Sequence, residues 1–363
     1  MPSKYIAFFL SELHGGGAQR VTINLIKALS ERGLKIDLVL AKAEGAYISQ
    51  IPSQVRLVDL QVAKLANSLP KLINYLKQNE PEYLIASLHG ACLLAIWSKK
   101  LTNIRTKIAV TIHTTLSVEK QYASLKRKAI GSLVNYFYPQ ADLIIAVSQG
   151  VAQSLAEALK LPASRIEVAY NPVVTAELKQ KAQFTVAHPF FSQPHPVILG
   201  VGRLDKAKDF ATLIKAFALV RDQHEAKLCI LGEGEAREEL EALIKKLNVV
   251  SDVSLPGFVD NPYAYMAQAQ LFVLSSVREG LPTVLIEAMA CGTPVVATDC
   301  PSGPREILEG GKYGKLVAVK DTQAMAASMI ETLTQPTLSE MLRLRAAEFA
   351  PERISDRYLE ILQ

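Results

Sequence analysis

Runs of apolar residues alternate with segments of helical periodicity along the whole chain. The first run, KYIAFFL, precedes a helical pattern from Ala18 to Arg32 that ends at Gly33, and KIDLVLA follows. Further apolar runs are YLIAS, KIAVTIH, DLIIAVS and IEVAY, with a helical pattern from Gly150 to Lys160 among them. Because strands that alternate with helices form βαβ units, the first half of the chain is predicted to contain a parallel sheet.

The periodicity lapses between Asn171 and Pro196, where four prolines indicate a linker. A second series of apolar runs then begins, namely VILGVGR, KLCILGEG, VSLPGF, LFVLSS, PVVAT and KLVAV. The pattern predicts an α/β protein with two Rossmann-like, doubly wound domains over residues 1–180 and 181–345, and a terminal helix over 346–363. Since such sheets bind ligands beyond the carboxyl ends of their strands, two facing sheets are expected to form a cleft.

The composition favours a globular protein of a reducing compartment. The chain has 363 residues, of which 49% are hydrophobic, and its N-terminal apolar stretch, Tyr5 to Leu10, is too short for the core of a secretory signal. The uncharged run from Tyr83 to Ser98 is shorter than the roughly 20 residues that span a bilayer. The four cysteines form no C-x-x-C pair, which argues against disulfides and a structural metal. We expect a cytoplasmic protein, peripheral to a membrane at most.

Charge is distributed unevenly along the chain. Residues 1–190 contain 22 Lys and Arg against 12 Asp and Glu, whereas residues 191–363 contain 18 against 23. A basic N-terminal half suggests an anionic partner such as a phosphorylated lipid, a membrane surface or a nucleic acid, and simple solubility is the alternative explanation.

The densest cluster of unusual residues lies between Ser275 and Leu308. Glu279 follows the run LFVLSS, and Pro282 suits an early helical position, so the amides of Gly280 and Leu281 are expected to face an anion. A phosphate would repel a carboxylate, and Glu279 and Glu287 are therefore interpreted as hydrogen-bond acceptors for hydroxyls of the same ligand, as on a sugar. For either glutamate alone, a helix-start or surface charge is the simpler explanation.

Two cations in GRLDKAKDF suit a diphosphate. Arg203 follows a predicted strand, and Lys208 comes at the expected start of a helix. A guanidinium and an ammonium can together stabilise a departing nucleoside diphosphate, although each alone also fits a solvated helix start. No D-x-D triplet occurs in the sequence, and we predict that no metal ion is needed.

The motifs GGAQR, GRLDKAKDF, LGEGEAREEL and REGLPTVLIEAMACGTPVVATDCPSGPREIL together resemble the retaining glycosyltransferases of family four, which have the GT-B fold. The resemblance extends from Gly15 to Leu308, and its most specific element is E-x7-E from Glu279 to Glu287. The segment TDCPSGPREIL resembles bacterial transferases that build surface glycans, many of which use UDP-linked hexoses or hexosamines.

The resemblance implies a role for each matching residue of the C-terminal half. Glu279 is expected to contact donor-sugar hydroxyls, Glu287 the ribose, and the segment at Phe258 the base. Gly280 and Leu281 are expected to give backbone contacts. The diphosphate would be bound by Arg203 and Lys208. Many relatives have glycine directly after this lysine, whereas this chain has Asp209.

In the N-terminal half the resemblance implies that Gly16 and Gly17 approach the donor phosphates or the reacting sugar. A simple strand-to-helix turn is the alternative for these glycines. His113, which ends KIAVTIH, resembles the family histidine near the donor sugar, while His89 is assigned either to the acceptor side or to packing. Front-face displacement is the expected mechanism, with His113 orienting the donor. The resemblance also implies that the terminal helix packs on the first domain.

The acceptor is inferred from the segment SLKRKAIGSLVNYFYPQ, a basic amphipathic pattern that suits anionic headgroups or a lipid-linked diphosphate, or equally a core-facing helix with a basic edge. We therefore expect transfer from a UDP-sugar to a lipid-linked or lipopolysaccharide-type acceptor, without cofactor or nucleic acid. A nucleotide-sugar epimerase and a non-catalytic nucleotide-sugar-binding protein remain alternatives. The segment GEGEAR lacks the third glycine of a dinucleotide fingerprint, which argues against a dehydrogenase.

Overall fold

The structure is a computed structural model that describes residues 4–115 and 125–363. Side chains are described for the same residues except 125–130, so the basic residues Lys126, Arg127 and Lys128 of the segment SLKRKAIGSLVNYFYPQ lie outside the described side chains. The chain divides into two compact units. The first runs to Pro172 and includes Pro351–Gln363, and the second is Val173–Ala350.

The first unit is built around a parallel sheet. Its described strands are β1 (Tyr5–Leu10), β2 (Lys35–Leu40), β3 (Arg56–Asp59), β4 (Tyr83–Ser87), β5 (Lys107–Ile112), β6 (Leu143–Ala146) and β7 (Ile166–Val168). They lie in the order β3-β2-β1-β4-β5-β6-β7, with parallel pairing throughout, for example Phe8 beside Leu38 and Ile85. The described helices are α1 (Gly17–Glu31), α2 (Leu69–Asn79), α3 (His89–Lys100), α4 (Leu125–Phe137), α5 (Gln149–Leu159) and α14 (Pro351–Ile361).

The last helix of the chain belongs to the first unit. Ile354, Tyr358 and Leu362 are buried in the same core cluster as Phe8 and Ile26. At the surface Arg357 forms an ion pair of 2.6 Å with Glu167, and Arg32 forms one of 2.6 Å with Asp356. Burial of apolar side chains, at about 25 cal/mol per Å², stabilises the packing of this helix in the first unit far more than the two exposed ion pairs do.

The second unit has the same architecture. Its described strands are β8 (Val197–Val201), β9 (Lys227–Leu231), β10 (Val253–Gly257), β11 (Leu271–Leu274), β12 (Val295–Thr298) and β13 (Lys315–Val317), in the order β10-β9-β8-β11-β12-β13. All their pairings are parallel. The helices are α6 (Ala176–Lys181), α7 (Phe210–Arg221), α8 (Arg237–Lys246), α9 (Pro262–Gln268), α10 (Thr283–Cys291), α11 (Pro304–Ile307), α12 (Thr322–Thr334) and α13 (Ser339–Ala346).

The strands of the second sheet read as continuous apolar runs because helices cover both faces. Leu228, Ile230, Leu271 and Val273 are fully buried or nearly so, and they pack with Phe217 of α7. A strand that is buried on both faces does not need polar alternation. This is the reason that the strand positions of this half are readable from the sequence.

The strand order places a topological switch point in each unit. In the first unit it lies between β1 and β4, and in the second between β8 and β11. Connections from neighbouring strands leave toward opposite faces there, which opens a crevice at the carboxyl edge. The fold class predicted from the sequence, α/β with two Rossmann-like doubly wound domains, is confirmed. Among the described helices, none is both long and apolar enough to cross a bilayer.

Candidate active site

The loop after β8 is folded tightly by its own side chains. Asp205 Oδ1 accepts hydrogen bonds from the backbone amides of Ala207 at 2.9 Å and Lys208 at 3.1 Å. An aspartate side chain that accepts hydrogen bonds from the next backbone amides along the chain favours a turn over a helix. Arg203, at the start of the loop, is exposed to solvent. The loop thus presents Lys208 and leaves Arg203 accessible to a ligand.

Asp209 ends this loop in a left-handed conformation, with φ of +46°. Glycine adopts that region without cost, and aspartate and asparagine are the side chains that tolerate it best. Asp209 Oδ2 also accepts a hydrogen bond of 2.7 Å from Thr212 Oγ1 in the first turn of α7. Asp209 therefore keeps the backbone geometry that positions Lys208, although many relatives have glycine here.

Lys208 and Glu279 meet across the switch point of the second sheet. Lys208 Nζ lies 2.6 Å from Glu279 Oε1, and the two side chains are 22% and 12% exposed. Lys208 follows β8 and Glu279 follows β11, which are neighbouring strands. The structure therefore brings together two residues that the sequence identifies separately. In this low-exposure position the ammonium offsets the carboxylate charge and holds it in place.

Two serines between β11 and Glu279 contact both members of this pair. Ser275 Oγ donates to the carbonyl oxygen of Lys208 at 2.7 Å, and Ser276 Oγ donates to Glu279 Oε1 at 2.6 Å. The amide of Val277 also donates to the carbonyl of Ala207 at 2.8 Å. These residues were missed by the sequence analysis. The only signal that points to them is their position between a buried strand and Glu279.

The backbone after Glu279 is tightly held. Ser302 Oγ donates to the carbonyl of Gly280 at 2.7 Å, and Leu281 is only 6% exposed. A Cβ at Gly303, where φ is +91°, would lie 2.4 Å from Pro282 Cδ. Pro282 is the residue before α10, so the helix begins one position later than the sequence suggests. A glycine is required at position 303 to let this loop approach the helix start.

Glu287 lies in the second turn of α10 and is only 4% exposed. A surface charge is therefore excluded as the explanation for this residue. Its negative charge adds to burial in raising the pKa of the neighbouring Cys291 thiol to about 12. Burial is the larger cause, because the thiolate would lose its hydration. Glu287 is thus a buried carboxylate on the helix that follows Glu279.

Glycines let the loops after β8, β9 and β10 approach one another. The Gly232 amide donates to the carbonyl of Gly257 at 2.8 Å, and a Cβ at Gly232 would lie 1.9 Å from the carbonyl oxygen of Gly202. Phe258, the next residue after β10, is 76% exposed. An exposed aromatic ring beside this loop cluster is available to a planar ligand group such as a base.

The start of α8 does not suit a phosphate. Glu238 and Glu239 occupy its first turn, and Glu233 forms two hydrogen bonds with Arg237, of 2.6 and 2.8 Å. Carboxylates at a helix N-terminus compete with an anionic ligand for the same amides. The segment GEGEAR therefore lacks the phosphate site of a dinucleotide-binding fold.

In the first unit the glycine-rich loop connects β1 to α1. Gly15 and Gly16 have φ of +150° and +118°, and no described atom lies within 4 Å of a Cβ built at Gly15, Gly16 or Gly17. The Gly15 amide donates to Gln19 Oε1 at 2.8 Å, and α1 begins at Gly17. The positive φ angles explain the first two glycines, and the open space leaves room for a ligand near the helix N-terminus.

His89 and His113 lie at the carboxyl ends of the neighbouring strands β4 and β5. Among the described residues His113 Nε2 is buried without a hydrogen-bond partner. Burial, and secondarily the nearby His89, lower the pKa of His113 to about 4. His113 is therefore neutral at physiological pH. His89 Nδ1 lies 2.7 Å from the hydroxyl of Tyr138, which is fully buried.

A cluster of possible metal ligands, which the sequence analysis did not single out, lies near the glycine-rich loop. The ligand atoms of Glu12, His14 and Glu44 are within 4.8 Å of one another. Glu44 already accepts from Lys42 Nζ at 2.5 Å and lies 3.2 Å from His14 Nε2. The cluster is explained by these surface ion pairs.

Both halves of the chain match family models of glycosyltransferases. Residues 15–177 match the family model described as Glycosyltransferase Family 4, and residues 185–349 match Glycosyl transferases group 1. The chain is 32% identical, over 94% of its length and 93% of the relative's, to the N-acetylgalactosamine-N,N'-diacetylbacillosaminyl-diphospho-undecaprenol 4-alpha-N-acetylgalactosaminyltransferase of Campylobacter jejuni. It is 26% identical to the lipopolysaccharide core biosynthesis glycosyltransferase LpsE of Rhizobium meliloti, with 96% of each chain covered.

Among solved structures, HepE of Anabaena in complex with UDP superposes with a TM-score of 0.78 at 23% identity, with 99% of each chain covered. At this identity the likeness shows the shared fold. The family models and the Campylobacter relative together cover both units of the chain. The chain belongs to the family-four glycosyltransferases and has their GT-B fold.

Proposed function

We propose that this glycosyltransferase moves a hexose or N-acetylhexosamine from a UDP-sugar to a lipid-linked or lipopolysaccharide-type glycan, with retention of anomeric configuration and without a metal ion. The observation that carries the proposal is the pairing of Lys208 with Glu279 at the switch point of the second sheet. A cation and a hydroxyl-binding carboxylate side by side suit the two halves of a sugar diphosphate.

In the proposed complex, Arg203 and Lys208 bind the diphosphate and stabilise the charge that develops on it as the glycosidic bond breaks. Glu279 accepts hydrogen bonds from donor-sugar hydroxyls, and the backbone of Gly280 and Leu281 contacts the donor. Glu287 binds the ribose. The base lies beside Phe258, whose ring is largely exposed.

Gly16 and Gly17 contribute backbone contacts to the donor, and neutral His113 orients the donor sugar without acting as a nucleophile. The incoming acceptor hydroxyl attacks the anomeric carbon on the face that the diphosphate leaves. Its proton passes to a leaving phosphate oxygen, so that no carboxylate nucleophile is required. Cationic side chains supply the electrostatic stabilisation that a metal ion would otherwise give.

An exposed basic and aromatic patch of the first unit supports a lipid-linked acceptor. Leu101 and Tyr136 are 66% and 67% exposed, and Lys100 Nζ lies 5.9 Å from the Tyr136 ring centroid and 5.4 Å from that of Phe137. Aromatic and basic side chains together are typical of surfaces that rest on anionic headgroups. The Campylobacter and Rhizobium relatives are named for a diphospho-undecaprenol acceptor and for lipopolysaccharide core synthesis. We propose that the enzyme acts at the cytoplasmic face of the membrane.

The proposal is tested by UDP release from UDP-glucose, UDP-galactose, UDP-N-acetylglucosamine and UDP-N-acetylgalactosamine, with and without polyprenyl-diphosphate-linked saccharides. We expect one donor to release UDP only when acceptor is present, equally with and without EDTA, and NMR of the product to show an α-linkage. Loss of activity in EDTA would contradict the metal-free mechanism. Tight donor binding without release of UDP on any acceptor would favour a non-catalytic binding protein. Isomerisation of the donor without acceptor would favour an epimerase.

A further inference from the structure

Two consecutive serines, Ser275 and Ser276, connect β11 to the loop of Glu279. Each forms a hydrogen bond with a different member of the Lys208–Glu279 pair. Ser275 is 1% exposed and donates to the backbone carbonyl of Lys208. Ser276 is fully buried and donates to Glu279 Oε1. The two hydroxyls therefore fix, one each, the backbone of the cation and the side chain of the anion.

Ser276 is itself anchored from the next strand. Thr298 Oγ1, at the end of β12, lies 2.5 Å from the carbonyl oxygen of Ser276 and 3.3 Å from that of Leu274. Thr298 is fully buried. Because Thr298 fixes the backbone of Ser276 and the serine side chain is fully buried, the Ser276 hydroxyl is preorganised toward Glu279.

Lys208 and Ser276 both bond to Glu279 Oε1, but their side chains differ in conformational freedom. Lys208 has a flexible four-carbon stem and is 22% exposed, whereas Ser276 is short and enclosed. A diphosphate would draw the ammonium toward its own oxygens, because it offers more negative charge than one carboxylate. The Ser276 hydrogen bond would then be the remaining described restraint on Glu279 Oε1.

We infer that Ser276 is the positioning residue that holds Glu279 toward the donor sugar once Lys208 has engaged the diphosphate, and that Ser275 positions Lys208. The inference rests on the proposed function, since it requires Glu279 to bind the sugar and Lys208 the diphosphate. The inference predicts separate effects on sugar recognition and on diphosphate affinity, whereas a general loosening of the loop would impair both. Loss of Ser276 affects sugar recognition, and loss of Ser275 affects diphosphate affinity.

The experiment measures kcat and KM for the UDP-sugar that the wild type uses, and the Kd of UDP by calorimetry, in single variants. For Ser276→Ala we expect kcat/KM to fall about tenfold while the Kd of UDP changes by less than about twofold, because UDP lacks the sugar. For Ser275→Ala we expect the Kd of UDP and the KM of the UDP-sugar to rise together, by about fivefold.

Two controls separate hydrogen bonding from packing. Ser276→Cys fills the site with a slightly larger side chain that donates only weakly, and we expect it to behave like Ser276→Ala. Ser98→Ala removes an equally buried hydroxyl from α3, where it donates to the Ala95 carbonyl at 2.6 Å, and we expect unchanged kinetics. Wild-type kcat/KM in Ser276→Ala, or an equal loss of UDP and UDP-sugar affinity in it, would overturn the inference while leaving the proposed function intact. A wild type that releases UDP from no donor would remove both.

Discussion

Lys208 Nζ and Glu279 Oε1 lie 2.6 Å apart although 71 residues separate them in sequence. The contact exists because β8 and β11 are neighbours in the sheet, and each loop starts at the same edge. Either residue alone has an ordinary surface explanation. Their contact at a switch point, where open α/β sheets bind ligands, favours a ligand site over two unrelated charges.

We predict that Glu279→Gln lowers kcat/KM for the UDP-sugar by about 100-fold, because a neutral amide accepts more weakly from sugar hydroxyls than a carboxylate does. The free energy of unfolding should change by less than about 1.5 kcal/mol, since the amide oxygen still accepts from Ser276 and Lys208 is partly exposed. Steady-state kinetics and urea denaturation measure both quantities.

The matching substitution is Lys208→Met, which keeps most of the length of the side chain and removes its charge. We expect it to weaken UDP binding as well as transfer, because the lost cation faces the diphosphate in the proposed complex. Glu279→Gln should leave UDP binding nearly unchanged. Near-normal transfer by both variants would contradict the assignment of this pair to the donor site.

The sequence predicts the strands of both sheets best where they are buried on both faces, as in β9 and β11. It does not predict β3, whose residues Arg56, Leu57 and Asp59 are exposed on the sheet edge. It also treats residues 171–196 as linker, whereas the structure contains α6 there. A strand of four residues without a buried face has no alternation to detect.

The site is predicted unevenly for a related reason. Lys208, Glu279 and Glu287 belong to motifs with unusual residue types, so the sequence marks them. Ser275 and Ser276 are ordinary loop residues, and the first bonds to the Lys208 carbonyl in the loop after β8, whereas the second bonds to Glu279 three residues further on. Which partner a serine finds depends on tertiary packing, and neither composition nor periodicity encodes that choice.

The close approach of Gly232 to Gly202 gives a prediction for the second unit. Gly232→Ala would place a Cβ 1.9 Å from the Gly202 carbonyl oxygen, at a residue with φ of +138°. We expect the free energy of unfolding to fall by about 3 kcal/mol or more, from strain and displacement of the loop. The affinity for UDP should fall with it, because Arg203 follows Gly202 directly.

The control for this substitution is Gly131→Ala, in the interior of α4. No described atom lies within 4 Å of a Cβ at Gly131, and its φ is not positive. Alanine there should stabilise the helix by about 0.5–1 kcal/mol. Chemical denaturation of both variants measures the difference, and equal stability of Gly232→Ala and wild type would contradict the packing described for the loop.

Burial of His113 predicts a pH-dependent stability. Its pKa of about 4 lies below that of an exposed histidine, about 6.5, so the unfolded chain binds a proton more readily than the folded chain. His113 should therefore lower the free energy of unfolding as the pH falls from about 6.5 toward 4. The contribution at pH 5 is about 2 kcal/mol.

Urea titrations at pH 7 and pH 5 test this sign. In His113→Asn the pH-dependent difference between the two titrations should shrink by about 2 kcal/mol relative to wild type. Identical pH profiles in wild type and His113→Asn would contradict the burial of this ring.

Asp37 and Arg56 form an ion pair, and we predict that removing one partner or the other lowers the free energy of unfolding by different amounts. Asp37 is 1% exposed, and its carboxylate accepts from Arg56, from the Tyr5 hydroxyl at 2.6 Å and from the Tyr75 hydroxyl at 2.5 Å. Burial alone would raise the pKa of Asp37, but these hydrogen bonds outweigh it and lower the pKa. Arg56 has a side chain that is 52% exposed.

Arg56→Met should therefore cost about 3 kcal/mol in the free energy of unfolding, because it leaves a buried carboxylate without its cation. Asp37→Asn should cost less, about 1–2 kcal/mol, since the exposed guanidinium returns to water and the amide oxygen still accepts from a tyrosine. Arg56 lies on the edge strand β3 of the first sheet and Asp37 on the neighbouring strand β2, both outside the proposed site, so kcat/KM should stay within about twofold of wild type. Denaturation of the two variants with transfer assays decides the order. A larger cost for Asp37→Asn would mean that the tyrosine hydroxyls, rather than the arginine, are the partners that stabilise this carboxylate.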